Sequence, residues 1–562
     1  MFGVTCRPRF ASLPGMLAGL CFLGTAWAQP GTVLSSQKVS DLEGNFTAII
    51  DDLDETHGAL ACLGDLDGPG PAVSAIAIGA AYDDDGGGDR GAVYIAFLAA
   101  NGAVLSHQKI SDTVNFPGTP LDSGDQFGSA LAFLGDLDGA GPSVGAIAVG
   151  SVSDDDGVSG AGAVYILFLS ASGTVLSWQK ISDTINLPGG PIDGLDEFGG
   201  ALASLGDLDG PGPSTHAIAV GSVGDDDGGG DLGAIYILFL NASGTVLSVQ
   251  RVSDTINFPG APLDPGDDFG TSMTSLGDLD GGGPAVLALA VGAAADDDGG
   301  SDRGAVYVLF LDASGTVLST QKISDTQGNF TGVFSNWDEF GGALTHLGDI
   351  DGPAGGVTAL AVGVASDDDG GADRGSVQIL FLNGDGTCAG YQKVSALFGN
   401  FPVPLDNLDG FGSSLAFLGD LDGAGPSVAA VAVGAAGDDD GGIDRGGGYI
   451  LFLDGVSVVG VTPFPRSASG NVLGRAWPNP FRPTTTIVFR LDEEADARID
   501  IWDLSGRLVR QLVRARTPAG DHQAVWDGRD DAGRTLSSGT YFYRMTIDGR
   551  PVAGAGKALL LR

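Results

Sequence analysis

The chain has 562 residues, of which 71 are acidic, 27 are basic and 95 are glycine, and its formal net charge is −44. Residues 29–473 hold the acidic excess, with 60 acidic and 11 basic residues, whereas residues 474–562 hold 11 acidic and 14 basic residues. So acidic a body repels nucleic acid and anionic lipid headgroups, which excludes nucleic acid as a partner. The length allows several domains.

Residues 1–28 have the features of a secretory signal peptide. Arg7 and Arg9 precede an apolar stretch over residues 13–26, and Ala26-Trp27-Ala28 places small residues where a signal peptidase cleaves. Cleavage is expected before Gln29, which predicts a secreted or cell-surface protein. No later segment has the roughly 18 apolar residues that span a bilayer, so no transmembrane segment is expected in the mature chain.

The chain then repeats with a period of 71 residues. The string GDLDG or GDIDG begins at Gly64, Gly135, Gly206, Gly277, Gly348 and Gly419. Three consecutive aspartates begin at Asp83, Asp154, Asp225, Asp296, Asp367 and Asp438, at the same interval. A fixed long period indicates one supersecondary unit copied in tandem, each copy packing on its neighbours.

Each copy contains four short apolar runs that predict β-strands. In the second copy they are residues 129–137, 146–151, 163–169 and 174–182, and turn-forming residues stand between them. The third run is apolar on both faces, which indicates burial on both sides, whereas the fourth is partly polar and is expected to be the outer strand. Four antiparallel strands in a tandem repeat describe a blade of a β-propeller.

The two ends of the repeat region complement each other. Residues 32–41 carry a fourth-strand sequence without a blade of their own, and the sixth copy ends at residues 449–453 without a fourth strand. The N-terminal strand is therefore expected to close the ring. The competing segment, residues 456–464, contains Pro463, which cannot donate to a strand ladder. The predicted fold is all-β, with a six-bladed or alternatively seven-bladed propeller over residues 29–455, a linker at 456–473 and a small β-sandwich.

A Phe-Gly pair about eight residues before GDLDG opens copies two to six, and each copy continues with an AIAVG-type strand and a GAVYI-type strand. These motifs resemble the FG-GAP repeats of integrin α-subunit propellers and their bacterial relatives, over residues 32–455. Copy one has His57-Gly58 aligned with Phe-Gly. The FG-GAP family usually builds seven blades, which keeps the seven-bladed alternative open.

Residues 474–562 differ from the repeats in sequence and charge. Alternating apolar residues and turns such as Ser505-Gly506 predict a small β-sandwich. The run WDGRDDAGRTLSSGTYFYR resembles the FlgD-type immunoglobulin-like domain. The PNPF start at residues 478–481, with a terminal strand, also resembles C-terminal sorting domains of exported bacterial proteins. The first resemblance implies a stalk or assembly module and the second a contact with export machinery.

The resemblance to FG-GAP proteins implies Ca²⁺ binding by the turns between the first and second strands. In those proteins acids alternate as D-x-[DN]-x-D-G-x-x-D, whereas Ala140 and Val144 stand at the fifth and ninth positions of the second copy. Two acids per turn are few for Ca²⁺, which takes six to eight oxygen ligands. The less favoured metal candidates are therefore Asp65, Asp67, Asp136, Asp138, Asp207, Asp209, Asp278, Asp280, Asp349, Asp351, Asp420 and Asp422.

The aspartate triplets follow the second strands and are expected on the opposite rim. Clustered carboxylates on glycine-rich loops suit a hard cation such as Ca²⁺. The alternative is a solvated acidic rim of Asx turns, partly neutralised by the arginine of each Asp-Arg pair, such as Asp89-Arg90. The candidate metal ligands are Asp83, Asp84, Asp85, Asp154, Asp155, Asp156, Asp225, Asp226, Asp227, Asp296, Asp297, Asp298, Asp367, Asp368, Asp369, Asp438, Asp439 and Asp440.

The histidines of the mature chain are scattered and show no metal or catalytic-triad spacing. The interpretation is a non-catalytic adhesion or recognition scaffold, secreted or on the cell surface, with Ca²⁺ as the candidate cofactor and an unknown protein or glycan as the ligand. A structural component of an extracellular layer is the first alternative. A propeller-type glycan hydrolase or lyase is the second, and it would need paired carboxylates in the central channel.

Overall fold

The computed structural model describes residues 31–454 and 472–560, except for short segments within both ranges. In the first range these are residues 69–73, 117, 119–120, 140–143, 156, 189–191, 210–213, 215, 227–229, 261–262, 280–286, 351–357 and 422–427. In the second they are residues 478–484, 492–494, 504–506, 518–519, 527, 532–533, 538 and 553–555. The predicted signal peptide, most of the predicted linker and the rival closing segment at 456–464 lie outside the described residues.

Every regular element of the described residues is a β-strand, and the chain divides into two compact units with a boundary at residue 475. In the first unit the strands form six four-stranded antiparallel sheets, one for each copy of the repeat. We call these sheets blades one to six.

Blades one to three have the following strands. Blade one contains β2 (Ala59–Gly64), β3 (Ser74–Ala80), β4 (Ala92–Leu98) and β5 (Val104–Ser111). Blade two contains β6 (Phe127–Gly135), β7 (Gly145–Ser151), β8 (Ala163–Leu169) and β9 (Val175–Ile181). Blade three contains β10 (Phe198–Gly206), β11 (His216–Ser222), β12 (Ala234–Leu240) and β13 (Val246–Ser253).

Blades four to six follow the same plan. Blade four contains β14 (Phe269–Gly277), β15 (Leu287–Ala293), β16 (Ala305–Leu311) and β17 (Val317–Ile323). Blade five contains β18 (Ala343–Gly348), β19 (Thr358–Val364), β20 (Ser376–Leu382) and β21 (Cys388–Ser395). Blade six contains β22 (Phe411–Gly419), β23 (Val428–Ala435), β24 (Gly447–Asp454) and the N-terminal strand β1 (Val33–Val39).

The six blades form a closed ring. The first strands contact one another in the cycle β2, β6, β10, β14, β18, β22 and back to β2, so these strands line the axis. A separate cluster of buried apolar side chains fills each of the six junctions between neighbouring blades. The propeller therefore has six blades, and the seven-bladed alternative is wrong.

The N-terminal strand completes blade six. β1 pairs antiparallel with β24, and the pairing places Lys38 opposite Tyr449. The same register places Lys109 opposite Tyr94 in blade one and Lys180 opposite Tyr165 in blade two. Because the first and last strands of the ring share one sheet, closure does not depend on a seventh blade.

The second unit is a small β-sandwich. Its three-stranded sheet contains β25 (Val472–Trp477), β26 (Thr485–Leu491) and β29 (Gly520–Trp526). Its five-stranded sheet contains β27 (Ala495–Trp502), β28 (Leu508–Thr517), β30 (Gly539–Ile547), β31 (Arg550–Pro551) and β32 (Gly556–Leu560). Alternate residues such as Ile487, Ile499 and Ile501 are fully buried, which is the inward face that the alternation of the sequence predicts.

Candidate recognition rim

The loops that leave the second strands and the loops that leave the fourth strands lie on one end of the ring, because successive strands run in opposite directions. We call this end the triplet rim, since the aspartate triplets lie in the first kind of loop. The GDLDG turns lie on the opposite end. The triplet rim holds the larger set of predicted metal ligands, so its geometry shows whether these aspartates are free to bind an ion.

The first aspartate of each triplet is buried and ion-paired. Asp154 Oδ2 lies 2.6 Å from Nζ of Lys180, and the hydroxyl of Tyr165 donates to the same oxygen at 3.1 Å. The repeat carries this arrangement around the ring with Lys38, Lys109, Arg251, Lys322 and Lys393 as the cations. In blade five, Ser376 donates to Asp367 at 2.7 Å, since Gln378 replaces the tyrosine.

The third aspartate shares the same cation. In blade four, Lys322 Nζ lies 2.5 Å from Asp296 and 2.5 Å from Asp298. Asp85, Asp369 and Asp440 make the equivalent contact in blades one, five and six, while Asp156 and Asp227 lie outside the described residues. The N–H of Asp298 also donates to Asp296 Oδ1 at 3.1 Å, which is the expected Asx turn. The ammonium group thus occupies the space between two carboxylates that a metal ion would need.

The second aspartate of each triplet is exposed, and these residues are Asp84, Asp155, Asp226, Asp297, Asp368 and Asp439. Among the described residues, one group of carboxylates has the spacing of a metal site: Asp406, Asp439 and Asp440, whose oxygens lie within 4.8 Å of one another. All three are exposed, and exposed acidic groups of this kind are common without an ion. Calcium binding by the triplets therefore stays a prediction.

The arginines that follow the triplets have other partners than the sequence suggests. Arg90 lies 2.5 Å from Asp112, and Arg303 lies 2.7 Å from Asp325. Both aspartates belong to the loop after the fourth strand, not to a triplet. These arginines tie the two kinds of loop together, so the expectation that they neutralise the triplets is wrong for these two contacts.

The GDLDG turns have a structural core of their own. The leucine or isoleucine is buried in five of the turns, as for Leu66 and Ile350, and partly buried in the fourth copy at Leu279, while the preceding aspartate is exposed in every turn. Gly64 has a φ of 64°, and its carbonyl accepts from Leu66 N–H at 3.1 Å, which closes the turn. Asp280, Asp351 and Asp422 lie outside the described residues, as do all six fifth positions and four of the six ninth positions; the two described ninth positions are the apolar Val144 and Val428. Metal binding here also stays a prediction.

A second ring of buried aspartates lies on the triplet rim, and the sequence analysis missed it. Asp125 Oδ2 accepts the N–H of Asp122 at 2.7 Å. Equivalent bonds hold Asp54, Asp196, Asp267, Asp338 and Asp409. Burial, and then the nearby Asp154, raise the pKa of Asp125 to about 7. The signal in the sequence was the aspartate that recurs every 71 residues, three positions after another aspartate or a serine.

Bulky apolar residues occupy left-handed backbone positions in the loops that enter the blades. Leu53, Leu195, Trp337 and Leu408 have φ values of 76°, 72°, 73° and 74°. The same repeat position in the other two copies is Gly124 and Gly266, also with positive φ. The four side chains are exposed by 55%, 68%, 62% and 62%, respectively. A left-handed conformation costs a residue with a side chain about 1–2 kcal/mol, and exposure returns no packing energy.

The reason for the left-handed backbone is a hydrogen bond between blades. The N–H of Trp337 donates to the carbonyl of Ser301 at 2.9 Å, and Leu53 N–H donates to Ile443 at 2.8 Å. Gly124 makes the same bond with Gly88 at 3.0 Å. The loop geometry therefore needs a positive φ but does not need a bulky side chain.

Carboxylates of blades three, four and five lie near the axis on the same rim. Glu197 and Glu339 stand directly before a Phe-Gly pair, and Asp268 holds the same position in blade four. Burial, and then Glu197 with the acids of adjoining loops, raise the pKa of Asp268 to about 6. Because the following strands line the axis, these acids lie at the axial end of the triplet rim, and we call them the acidic mouth.

The histidines do not form a catalytic group among the described residues. His216 Nε2 lies 2.8 Å from Ser204 Oγ, and His346 Nε2 lies 2.7 Å from Thr358 Oγ1. Both pairs join first and second strands near the GDLDG end of the ring. The described residues show no carboxylate hydrogen-bonded to either imidazole, so neither pair has the third member of a triad.

The alignment of copy one also needs a correction. Thr56 and His57, not His57 and Gly58, occupy the places of Phe-Gly. The N–H of Thr56 donates to Arg445 at 3.0 Å, as that of Phe127 donates to Arg90 at 3.0 Å, and His57 has the positive φ of the glycine. The 71-residue period predicts this alignment, because the position 71 residues before Phe127 is Thr56.

Comparison with known proteins identifies the C-terminal unit. The family model of the FlgD Ig-like domain matches residues 478–550. No curated protein matches the chain. In the described part of the chain no helix is long and apolar enough to cross a membrane.

Three solved structures show how similar the chain is to known proteins. FlgD of P. aeruginosa is 25% identical over 14% of this chain and 59% of its own, with a TM-score of 0.12. PorZ of Porphyromonas gingivalis, described as a surface component of the type-IX secretion system, is 15% identical over 87% of this chain and 64% of its own, with a TM-score of 0.24. Latent PorU of that organism is 14% identical over 69% of this chain and 36% of its own, with a TM-score of 0.15. The chain thus spans less than two thirds of the length of each of these proteins. TM-scores this low do not support a transfer of function. The family to which part of the chain is similar is the FlgD Ig-like domain, at residues 478–550.

Proposed function

We propose that the protein is a secreted or cell-surface recognition scaffold, without catalytic activity, whose propeller binds a protein or glycan ligand through the triplet rim. The observation that carries the proposal is the set Leu53, Leu195, Trp337 and Leu408. Their side chains are exposed on backbone that glycine would adopt without strain, and Gly124 and Gly266 do so in the other two copies. Exposed apolar side chains that lower the stability of the fold, and that cluster at one end of a scaffold, are typical of a binding surface.

The polar part of the rim supports the same function. The rim carries exposed apolar groups in four of its six entry loops together with the acidic mouth, which suits a ligand with apolar faces and hydrogen-bond donors or positive charge. Adhesion is the biological task that such a rim would serve on a cell surface. The FlgD Ig-like unit would then act as a stalk or as a contact for export machinery.

Calcium is not required by this proposal. The lysines already supply the counter-charge of the first and third triplet aspartates. Ca²⁺ remains a candidate ligand for the exposed Asp406, Asp439 and Asp440, where it would join the loop between blades five and six to the triplet loop of blade six.

The test uses residues 29–562 and a variant in which the four rim residues are changed to glycine. Both proteins are passed over an array of immobilised glycans and extracellular proteins. The control variant changes the exposed outer-strand residues Leu105, Leu176, Leu247 and Leu318 to threonine, since they have similar exposure on another surface. Ligands bound by the wild type and the control, but lost by the glycine variant, support the proposal. Equal binding by all three proteins contradicts it.

A structural component of an extracellular layer remains the second candidate. It would rest on exposed outer strands such as β9, whose Leu176 is solvent-exposed. In that case the outer-strand variant, and not the rim variant, would lose its interactions on the array or with further copies of the chain.

A further inference from the structure

The joint between blade six and blade one differs from the other five joints of the ring. At those five, a glycine that opens a first strand faces a β-branched residue in the third strand of the preceding blade. A Cβ added to Gly128 would lie 3.3 Å from Val93 Cγ2. Gly199 with Val164 and Gly270 with Ile235 make the same contact, and the repeat register gives Gly341 with Val306 and Gly412 with Val377 as the pairs at the remaining two joints. At the closing joint the pair is His57 with Gly448.

The backbone of His57 makes the same hydrogen bonds as Gly341, the glycine at the equivalent position of another joint. Its N–H donates to Gly79 at 3.0 Å, and its carbonyl accepts from Ser414 Oγ at 2.6 Å. Ser272 Oγ donates to the carbonyl of Gly341 at 2.6 Å, which is the same bond at another joint. The φ of His57 is 69°, so the residue bears a side chain on left-handed backbone.

At the closing joint the large residue and the glycine have changed places: His57 stands where the other joints have glycine, and Gly448 stands where they have valine or isoleucine. A Cβ added to Gly448 would lie 2.5 Å from Cδ2 of His57, so the valine of the other joints has no room here. The imidazole also contacts Phe46, with ring centroids 5.9 Å apart. Phe46 packs edge-on against Tyr94 at 5.5 Å, as Phe127 packs against Tyr165 at 5.5 Å, because Thr56 supplies no ring.

The imidazole is buried with one nitrogen unpaired. His57 Nδ1 lies 3.1 Å from Thr56 Oγ1, and the Thr56 hydroxyl donates to the carbonyl of Arg445 at 2.9 Å. The hydroxyl oxygen must therefore accept from Nδ1–H, which leaves Nε2 with its lone pair. Nε2 has no partner among the described residues, and the ring lines an apolar cavity with Val39 of β1, Leu60, Ile78 and Ala432.

Protonation of this ring is unfavourable while the joint is closed. A proton on Nε2 would place a charged N–H in an apolar cavity without an acceptor. Burial lowers the pKa of His57 to about 3, and the backbone of Thr56 opposes the change only in part. When the joint opens, water solvates the imidazole and its pKa returns towards its ordinary value.

We propose that His57 makes the closing joint acid-sensitive, so that mild acid opens the contact between blades six and one and releases the N-terminal strand β1 from β24. The cavity reaches β1 through Val39, and β1 belongs to the same sheet as Gly448. The other five joints have glycine in the place of His57 and lack this dependence.

Other ionisable groups surround the joint. Tyr449 lines the cavity and its neighbours Lys38 and Asp438 form an ion pair, while Tyr94 and His107 contact Phe46. Asp54 and Asp409, one on each side of the joint, have pKa values raised to about 7, chiefly by burial. They bind protons more readily in the closed state, so they favour closure as the pH falls. The effect of His57 is therefore measured as a difference between variants at each pH.

The test follows hydrogen exchange of β1 and β24 amides in residues 29–562 at pH 7 and pH 4.5, corrected for the intrinsic exchange rates. The variants are His57→Asn, which tolerates left-handed backbone but does not titrate, and the double variant His57→Gly with Gly448→Val, which restores the pair of the other joints. We expect opening of the wild-type joint to rise, relative to both variants, by up to about tenfold for each pH unit below the ordinary histidine pKa.

Exchange in β16 and β17 serves as the internal reference, because this strand pair has the same register as β24 and β1 and neither strand carries a histidine. A wild-type rise that is absent from His57→Asn and from the double variant supports the proposal. The same rise in all three proteins, or no rise in the wild type, overturns it. The double variant keeps the test decisive if His57→Asn does not fold.

Discussion

Lys38 of the N-terminal strand lies with Nζ 2.6 Å from Asp438 Oδ2 of the sixth repeat, and both side chains are buried. Burial alone would lower the pKa of Lys38, but its bonds to Asp438 and Asp440 outweigh that effect and raise it. The pair joins the two ends of the repeat region, 400 residues apart along the chain. Every other blade makes its equivalent pair within one copy of the repeat.

Lys38→Met is therefore expected to weaken ring closure. The substitution leaves the buried Asp438 without its cation, which typically costs about 3–5 kcal/mol. Thermal unfolding of residues 29–562 measures the loss. The double variant Lys38→Met with Asp438→Asn should recover part of the stability, since no buried charge is then left alone. An unchanged midpoint for Lys38→Met would contradict the role assigned to the pair.

The stability of the propeller is expected to increase as the pH falls from about 7.5 to 5. Asp125 and Asp267 have pKa values of about 7, and that of Asp196 is about 6, above the unfolded value near 4. The folded state thus binds more protons in this window, and stability is lost as the pH rises through the folded pKa values.

The variant Asp125→Asn tests this directly. The amide oxygen can still accept the N–H of Asp122, but the residue no longer titrates. Its melting temperature should depend less on pH than that of the wild type between pH 5 and 7.5, by on the order of 1 kcal/mol in stability across the window. Asp84→Asn, which changes an exposed triplet residue, is the control. Identical pH profiles for Asp125→Asn and the wild type would refute the assignment.

Removal of divalent cations is expected to leave the melting temperature unchanged. The lysines complete the charge balance of the first and third triplet aspartates without a metal, as Lys322 does for Asp296 and Asp298. Melting in EDTA and then in added Ca²⁺ measures this. A rise with Ca²⁺ would show a bound ion, because a ligand of the folded state raises stability by mass action. Asp439→Asn would then show whether the ion lies at Asp406, Asp439 and Asp440.

Much of the fold could be predicted from the sequence, because the repeat imposes it. The period of 71 residues predicts four strands per copy and the pairing of the N-terminal strand with the last blade, and the structure confirms this pairing by placing Lys38 opposite Tyr449. The number of blades needed the structure, since the FG-GAP resemblance allowed seven.

The candidate site was less predictable. The triplets indicate a cluster of carboxylates, but the sequence does not tell which aspartates a lysine 26 residues away will neutralise, as Lys180 does for Asp154. Leu53 and Trp337 stand in loops whose sequences give no sign of backbone conformation, except that glycine replaces them in two copies. The exchange of His57 and Gly448 is visible only when two distant positions of the repeat are known to touch.

Trp337→Gly tests the central claim most directly, through the melting temperature and ligand binding of the same protein sample. Glycine relieves the left-handed strain of about 1–2 kcal/mol, but it loses more backbone entropy on folding than tryptophan does, which offsets part of the gain. The melting temperature should therefore stay equal or rise slightly. Binding of any ligand found on the array should fall at least tenfold, which is the loss of about 1.4 kcal/mol. A clear drop in the melting temperature with unchanged binding would show that Trp337 serves the fold and not recognition.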